Sequence, residues 1–124
     1  MKKFDCIIVG AGFSGLYQLH CLRDKLKLNT LVIEEGDDLG GTWYWNRYPG
    51  ARCDSESFTY GFTFSKKIFK NWTWKERYPK QNVILKYLKY FSKELNLKKK
   101  IFFKQKVISA QFFEKENLWK IKTN

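Results

Sequence analysis

Glycine residues near the start of the chain have the spacing of a dinucleotide-binding turn. Gly10, Gly12 and Gly15 form the pattern G-x-G-x-x-G, and Phe13 and Ser14 fill its last two variable positions. The glycines of such a turn permit a tight exit from a strand, close approach of the backbone to a pyrophosphate, and close packing of a helix on the strand. Exposed N–H groups and the positive dipole at the start of that helix then stabilise the phosphate charge.

Glu34 places an acidic group at the distance that the same chemistry requires. It follows Gly15 by 19 residues, so its carboxylate can accept hydrogen bonds from both ribose hydroxyls and would repel a 2′-phosphate. A glycine-rich turn can also be a plain structural link, but the strand before it, the helix after it and the acid beyond favour dinucleotide binding. FAD and NAD both remain open, because they share the ADP half.

The elements around these residues are predicted as strand, helix and strand. A β-rich run covers residues 5–9, leucines at near-helical spacing extend from Leu16 to Leu26, and a continuous branched apolar run covers residues 30–33. The last run is typical of a parallel strand that is buried on both faces. These elements predict an α/β fold with a Rossmann-like βαβ unit and a parallel sheet.

The rest of the chain is predicted to continue the same domain. Residues 35–62 have no clear period and form a long aromatic loop, and apolar residues from Ile84 to Leu95 predict an amphipathic helix with Lys86, Lys89 and Lys93 on its wet face. Residues 101–103, 107–113 and 118–123 predict short strands, of which the last two form a terminal β-hairpin through residues 114–117. We therefore expect one domain over residues 1–124.

Composition and charge restrict the function classes. The chain is 44% hydrophobic and 19% aromatic, which argues against disorder, and no apolar stretch approaches the roughly 18 residues of a membrane span. The net charge is +12, and residues 63–124 carry 17 basic against 4 acidic groups, mostly lysines on alternating faces. This predicts a solvated surface and no nucleic-acid partner.

The three cysteines are widely spaced and do not form a metal-site pattern, so we expect no metal. Together with the short apolar run at the N-terminus, they predict a cytoplasmic protein.

The loop over residues 40–57 reads GGTWYWNRYPGARCDSES. Gly40 and Gly41 permit the backbone to approach a flat ligand, Trp43 and Trp45 offer rigid apolar surface, and the Pro-Gly pair makes a turn that presents the polar residues after it. For Trp45 and Tyr48 an aromatic mini-core capped by surface charge is the alternative. These residue types are compatible with a ligand-binding role for the loop.

This loop, the GAGFSGLY start, the ERY stretch at 76–78, Gln81 and the closing strands resemble the Baeyer–Villiger monooxygenases over essentially the whole chain. The resemblance implies that FAD binds this domain, that NADPH reduces the flavin, and that dioxygen gives a peroxyflavin that converts a ketone to an ester or lactone. It also implies an oxidoreductase whose second glycine-rich motif, fingerprint with His and Trp, and catalytic arginine have no counterpart in these residues.

Positions carried over from the family give the candidate site. The resemblance implies that Glu34 holds the adenosine ribose, that Tyr60 lies near the cofactor, and that the strand with Val107 approaches adenine through its backbone. Gly40, Gly41, Thr42 and Trp43 would run along the flavin side. Arg52, Cys53 and Asp54 would meet the nicotinamide end of NADPH, with Asp54 as the active-site aspartate that supports the catalytic arginine.

Several alternatives stay open at this point. Asp54 is also a candidate helix N-cap, and an ion pair with Arg47 or Arg52 is as plausible as a cofactor contact. His20 is expected to be a packing or surface residue. We expect the chain to be the N-terminal part of a larger or split enzyme and to be inactive without the missing portion. A non-catalytic remnant, or a part of a flavin-containing N- or S-oxygenating monooxygenase, is the alternative, although the aromatic loop argues against the latter.

Overall fold

A computed structural model describes residues 2–124 and has a three-stranded parallel sheet at its centre. The strands are β1 (Cys6–Val9), β2 (Thr30–Ile33) and β3 (Ile101–Phe102), in the order β1-β2-β3. Cys6 lies opposite Thr30, and Val32 lies opposite Ile101. All four residues of β2 are buried, as expected for a central parallel strand with a continuous apolar sequence.

Helices and a hairpin complete the domain. The helices are α1 (Phe13–His20), α2 (Thr42–Trp45), α3 (Lys66–Lys70) and α4 (Gln81–Glu94), and the hairpin pairs β4 (Val107–Phe113) with β5 (Leu118–Thr123). The predicted βαβ unit, the amphipathic helix and the hairpin are therefore confirmed. The short helices α2 and α3 were not predicted, since neither is long enough to show a helical period.

The hydrophobic core lies between the sheet, α1 and α4. Leu16 and Leu19 of α1 and Ile84, Leu88 and Phe91 of α4 are fully buried. The lysines of the predicted wet face of α4 are exposed. Burial of this apolar stripe is what fixes α4 beside the first βαβ unit, because helix propensity alone stabilises a helix of this length only weakly.

The leucine pattern of the first helix fails at its end. Leu26 was expected on the buried face but is 63% exposed. After His20 the helix continues as a π-helical turn over Cys21–Lys25, in which the Leu26 N–H donates to the Cys21 carbonyl. A π turn closes over five residues instead of four, so residues after it leave the face that a regular helix would give them.

Part of the apolar surface is uncovered. Ile7, Val9 and Phe102 on the sheet are 37%, 63% and 44% exposed, and on the hairpin Phe112 and Trp119 are 42% and 63% exposed. Parallel sheets in proteins are normally covered on both faces. Among residues 2–124 no helix combines the length and the apolar character that crossing a bilayer demands.

Candidate functional site

The glycine turn has the geometry that its spacing predicts. Gly10 has a φ of +94°, which a residue with a side chain rarely adopts. A Cβ on Gly15 would lie 2.0 Å from the Gly10 carbonyl oxygen, so only glycine lets α1 pack this closely on the end of β1. A Cβ on Gly41 would lie 2.8 Å from Gly12 Cα, so the aromatic loop and the glycine turn meet backbone to backbone.

Glu34 is buried at the end of β2 and is tied to the glycine turn. Its side chain is 4% exposed. Its Oε2 accepts a 2.6 Å hydrogen bond from the Ala11 N–H, and its Oε1 accepts a 2.7 Å bond from the Gly36 N–H. An ionised carboxylate offers about four acceptor positions, so each oxygen can still accept a hydrogen bond from a hydroxyl group. Glu34 can thus accept hydrogen bonds from a ribose while it also holds the glycine turn through the Ala11 N–H.

Two adjoining grooves run along the turn, and we call them the Glu34 groove and the Trp43 groove. Their volumes are about 270 Å³ and about 310 Å³. Val9, Gly10, Gly12 and Gly41 line both, so the grooves meet at the glycine turn. Other residues that were predicted for the site line one groove each. Val107 lines the Glu34 groove, and the Trp43 groove is lined by Phe13, Ser14, Gly15, Gly40, Thr42, Trp43 and Tyr60.

The Trp43 groove begins at the N-terminus of α1. Gly12 is the N-cap of that helix, no side chain caps it, and its first turn has no acidic residue. The first N–H groups of a helix have no partner within the helix, so these face the groove with the positive end of the dipole. An anion at this point is stabilised without any lysine.

Tyr60 lines the Trp43 groove and contacts two of its other aromatic residues. The Trp43 Nε1–H donates a 3.1 Å hydrogen bond to the Tyr60 hydroxyl, and the Phe13 ring meets the Tyr60 ring edge-on at 5.0 Å. Burial raises the pKa of Tyr60, although the hydrogen bond from Trp43 opposes this. The phenol is therefore neutral at physiological pH and keeps its own proton as a hydrogen-bond donor.

These observations test whether a dinucleotide fits. A diphosphate requires amide donors and close backbone approach, which the start of α1 and the crowded Gly12–Gly41 contact provide. A ribose requires a carboxylate acceptor, and Glu34 lies in the wall of the adjoining groove. The residues present therefore fit an extended ligand with a sugar at one end and an aromatic group at the other.

The candidates from the second part of the loop lie elsewhere. Arg52 lines a separate cavity with Lys80 and Gln81, and its guanidinium donates to Glu76 Oε2 at 3.1 Å and to the Tyr78 carbonyl at 2.9 Å. Cys53 is buried, and its N–H donates to the Pro79 carbonyl. The structure does not bring these two residues to the grooves.

Asp54 is exposed, and neither structural alternative for it holds. The nearby 3₁₀ turn, Ser57–Thr59, has Glu56 as its N-cap and no side-chain capping bond. Within residues 2–124 no arginine forms an ion pair with Asp54: Arg52 pairs with Glu76, and the Arg47 guanidinium lies over the Tyr44 ring at 4.8 Å. The helix-cap and ion-pair interpretations are therefore wrong, and the carboxylate stays available at the surface.

His20 is a packing residue, as expected. Its ring stacks on Phe64 with centroids 4.9 Å apart, and its Nδ1 lies 2.8 Å from Asp24 Oδ2. It belongs to the far end of α1 and lines neither groove.

Sequence reasoning missed several residues of the Glu34 groove. Glu35, Gln105 and Lys106 line it, and Lys106 Nζ pairs with Glu35 Oε1 at 3.1 Å. The available signal was topological, because the carboxyl ends of neighbouring parallel strands meet at one edge of a sheet. The residues that follow β3 could have been placed beside Glu34 on that basis.

Comparisons with known proteins agree with this geometry. The model of the family "NAD(P)-binding Rossmann-like domain" matches residues 8–74. The chain is 42% identical to a Baeyer–Villiger monooxygenase from Pseudooceanicola batsensis, over 98% of this chain and 22% of the relative. It is also 42% identical, with the same coverage, to a phenazine N-monooxygenase from Lysobacter antibioticus. The chain thus spans about 22% of the length of the curated relatives it matches.

A solved structure gives the same result for the fold. The solved structure of an oxidised steroid monooxygenase bound to NADP superimposes with a TM-score of 0.96 and 40% identity, over 99% of this chain and 23% of that one. Nearly every described element therefore has an equivalent in that monooxygenase.

Proposed function

This chain belongs to the family of NAD(P)-binding Rossmann-like domains, and from that premise we propose that it is the FAD-binding segment of a Baeyer–Villiger-type flavin monooxygenase. One observation carries the proposal: a buried carboxylate and an uncapped helix N-terminus lie on two grooves that meet at Gly10, Gly12 and Gly41. Glu34 would hold the adenosine ribose, the α1 amides the pyrophosphate, and Trp43 with Tyr60 the flavin side.

The activity of the whole enzyme belongs to the same proposal. The substrates would be NADPH, dioxygen and a ketone, and the product an ester or lactone. Bound flavin would supply the redox chemistry. The residues of this chain would bind and orient the cofactor and exclude water from one side of it. Asp54, exposed beside the buried Cys53, would face the NADPH-binding portion.

A further polypeptide portion is the proposed partner, either on the same chain or on a complementing one. The relatives are several times longer than this chain, and Ile7 and Phe102, on the two edge strands of the sheet, are partly exposed. An apolar segment of the remaining portion would cover these edges. Because the active site of the family type forms between two walls, we expect the chain by itself to show no NADPH-dependent oxygenation.

N-oxygenation is the second candidate for the chemistry. The phenazine N-monooxygenase is as similar to this chain as the Baeyer–Villiger enzyme is. Overall sequence similarity therefore does not separate oxygenation of a ketone from oxygenation of a ring nitrogen. Assays of the enzyme complemented with its remaining portion, with a cyclic ketone and with a phenazine, distinguish the two.

The proposal also covers the cellular location of the protein and the role of its lysine-rich half. Three free cysteines are compatible with the reducing environment of the cytoplasm, where NADPH is also available, so we place the protein there. We assign the lysine-rich second half to solvated surface, without a nucleic-acid partner. Retention on single- or double-stranded DNA that declines steeply with salt would contradict this assignment.

The test of the proposed function is a titration of the purified chain with FAD and with ADP. We expect both to bind, and Glu34→Gln to weaken both by about tenfold or more, since a charge-assisted bond to ribose is lost. Glu114→Gln, in the 3₁₀ turn of the hairpin, is the control and should bind like the unmodified chain. Binding of neither ligand by a folded chain would contradict the proposal and favour a non-catalytic remnant.

A further inference from the structure

Asp38 joins the loop between β2 and α2 to two other elements. Its Oδ2 lies 2.8 Å from Lys89 Nζ on α4, and its Oδ1 lies 2.8 Å from Lys98 Nζ in the 3₁₀ turn that leads into β3. The same Oδ1 accepts a 2.9 Å hydrogen bond from the Leu39 N–H. The Asp38 side chain is only 23% exposed, so solvent screens these contacts less than it screens a free surface pair.

Asp38, Lys89 and Lys98 form an ion triad, which we call the Asp38 triad. The residues after Asp38 connect it to the Glu34 and Trp43 grooves. Leu39 is fully buried, and the Gly40 N–H donates a 3.0 Å hydrogen bond to the Ala11 carbonyl. A Cβ on Gly40 would lie 2.6 Å from Leu85 Cδ1, so α4 packs closely against the loop at this glycine. Gly41 then lies against Gly12 where the two grooves meet.

We propose that Asp38, held by Lys89 and Lys98, is a positioning residue that sets the nucleotide affinity of the grooves and makes that affinity depend on ionic strength. Asp38 lines neither groove and acts through the Gly40–Ala11 hydrogen bond. The effect on nucleotide affinity rests on the proposed function, whereas the effect on the loop does not. The triad joins residues far apart in sequence, so losing it frees the loop without removing any ligand contact.

Ionic strength, and not pH, is the variable that acts on this triad near neutrality. Burial opposes ionisation of Asp38, but hydrogen bonds from Lys89 and Lys98 outweigh it and lower the pKa of Asp38 below its ordinary value. The carboxylate therefore stays charged as the pH falls through the weakly acidic range. Added salt weakens the attraction to the two partly exposed ammonium groups instead.

The experiment compares the unmodified chain with Asp38→Asn, which keeps the shape and removes the charge. The matched control is Glu94→Gln, which removes an ion pair with Lys67 from the end of α4, away from both grooves. Two quantities are measured: amide hydrogen exchange of residues 39–41 without ligand, and the ADP dissociation constant at low and high NaCl. Circular dichroism checks that each variant is folded.

We expect Asp38→Asn to speed exchange at residues 39–41 and to raise the ADP dissociation constant by about three- to tenfold at low salt, the scale of a lost charge-assisted contact. High salt should raise that constant more for the unmodified chain than for Asp38→Asn, so the two converge. Asp38→Glu should restore part of the affinity. Glu94→Gln should match the unmodified chain in both measurements.

Other outcomes decide against one proposal or the other. Unchanged exchange at residues 39–41 in folded Asp38→Asn, or equal salt dependence of ADP binding, would overturn the positioning role. If no chain binds ADP but Asp38→Asn still speeds exchange at these residues, the proposed function fails while the link between the triad and the loop stands. If Asp38→Asn does not fold, Lys98→Met and Lys89→Met remove one ammonium group each and are judged by the same two measurements.

Discussion

The Ala11 N–H donates to the Glu34 carboxylate across 2.6 Å, and this bond links the glycine turn to the end of β2. The Ala11 carbonyl in turn accepts from the Gly40 N–H, so one buried residue joins three segments that are distant in sequence. The acidic residue expected to bind ribose therefore also shapes the turn expected to bind phosphate. Replacing Glu34 would remove the proposed contact with ribose and loosen the glycine turn at the same time.

The contact between Gly41 and Gly12 predicts different effects of alanine at two glycines with positive φ. Gly41 has a φ of +55° and would place its Cβ 2.8 Å from Gly12 Cα, whereas Gly50 has a φ of +83° and open space around its Cβ. Both substitutions place a side chain at a positive φ and incur backbone strain of about 1–3 kcal/mol. Only Gly41→Ala pushes the walls of the grooves apart, so it should weaken ADP binding by about tenfold or more. Titration shows whether Gly50→Ala keeps the affinity, as we expect.

The π-helical turn predicts unequal effects of truncating two leucines of one periodic pattern. Leu19 is fully buried and Leu26 is 63% exposed. Leu19→Ala should lower the free energy of unfolding by about 2–5 kcal/mol. Leu26→Ala should change it by less than about 0.5 kcal/mol. Urea denaturation measures both, and equal losses would mean that the helix stays regular to its end.

The position of Tyr60 predicts a difference between FAD and ADP. Tyr60 lines the Trp43 groove and not the Glu34 groove. Tyr60→Phe removes one neutral hydrogen bond on the flavin side, so it should weaken FAD about three- to tenfold and leave ADP nearly unchanged. Glu34→Gln should weaken both ligands. Equal weakening of FAD and ADP by Tyr60→Phe would place the flavin outside the Trp43 groove.

Tyr87 predicts how stability depends on pH in the alkaline range. Burial raises the pKa of this phenol above its ordinary value of 10.0, against an opposing hydrogen bond from the Phe62 N–H. Above pH 10.0 the unfolded chain loses this proton before the folded chain does, so stability falls as pH rises, and the contribution is complete only below that value. Comparison of denaturation midpoints should show a shallower decline for Tyr87→Phe.

Much of the fold could be predicted because its signals are local. The apolar run of β2, the three glycines and the helical spacing from Ile84 to Phe91 each determine an element from neighbouring residues. The Glu34 and Trp43 grooves were predicted through the glycine turn and the family resemblance together. Neither the glycine turn nor the family resemblance alone would have identified the lining residues of both grooves.

The remaining features depend on contacts between distant residues. The Lys106–Glu35 pair and the Asp38 triad join segments that only the folded sheet brings together. The exposure of Leu26 follows from one widened turn that leucine spacing does not reveal. The capping role considered for Asp54 failed because a cap-like sequence states a preference, and the chain there forms a 3₁₀ turn that begins at Ser57.

The most direct test of the account is nuclear magnetic resonance of the isotope-labelled chain during titration with ADP. We expect large amide shifts at the start of α1, at Gly12, Phe13, Ser14 and Gly15, together with shifts at Ala11 and Gly36, whose N–H groups donate to Glu34. Shifts confined to the separate cavity around Arg52 and Lys80, with the glycine turn unchanged, would contradict it.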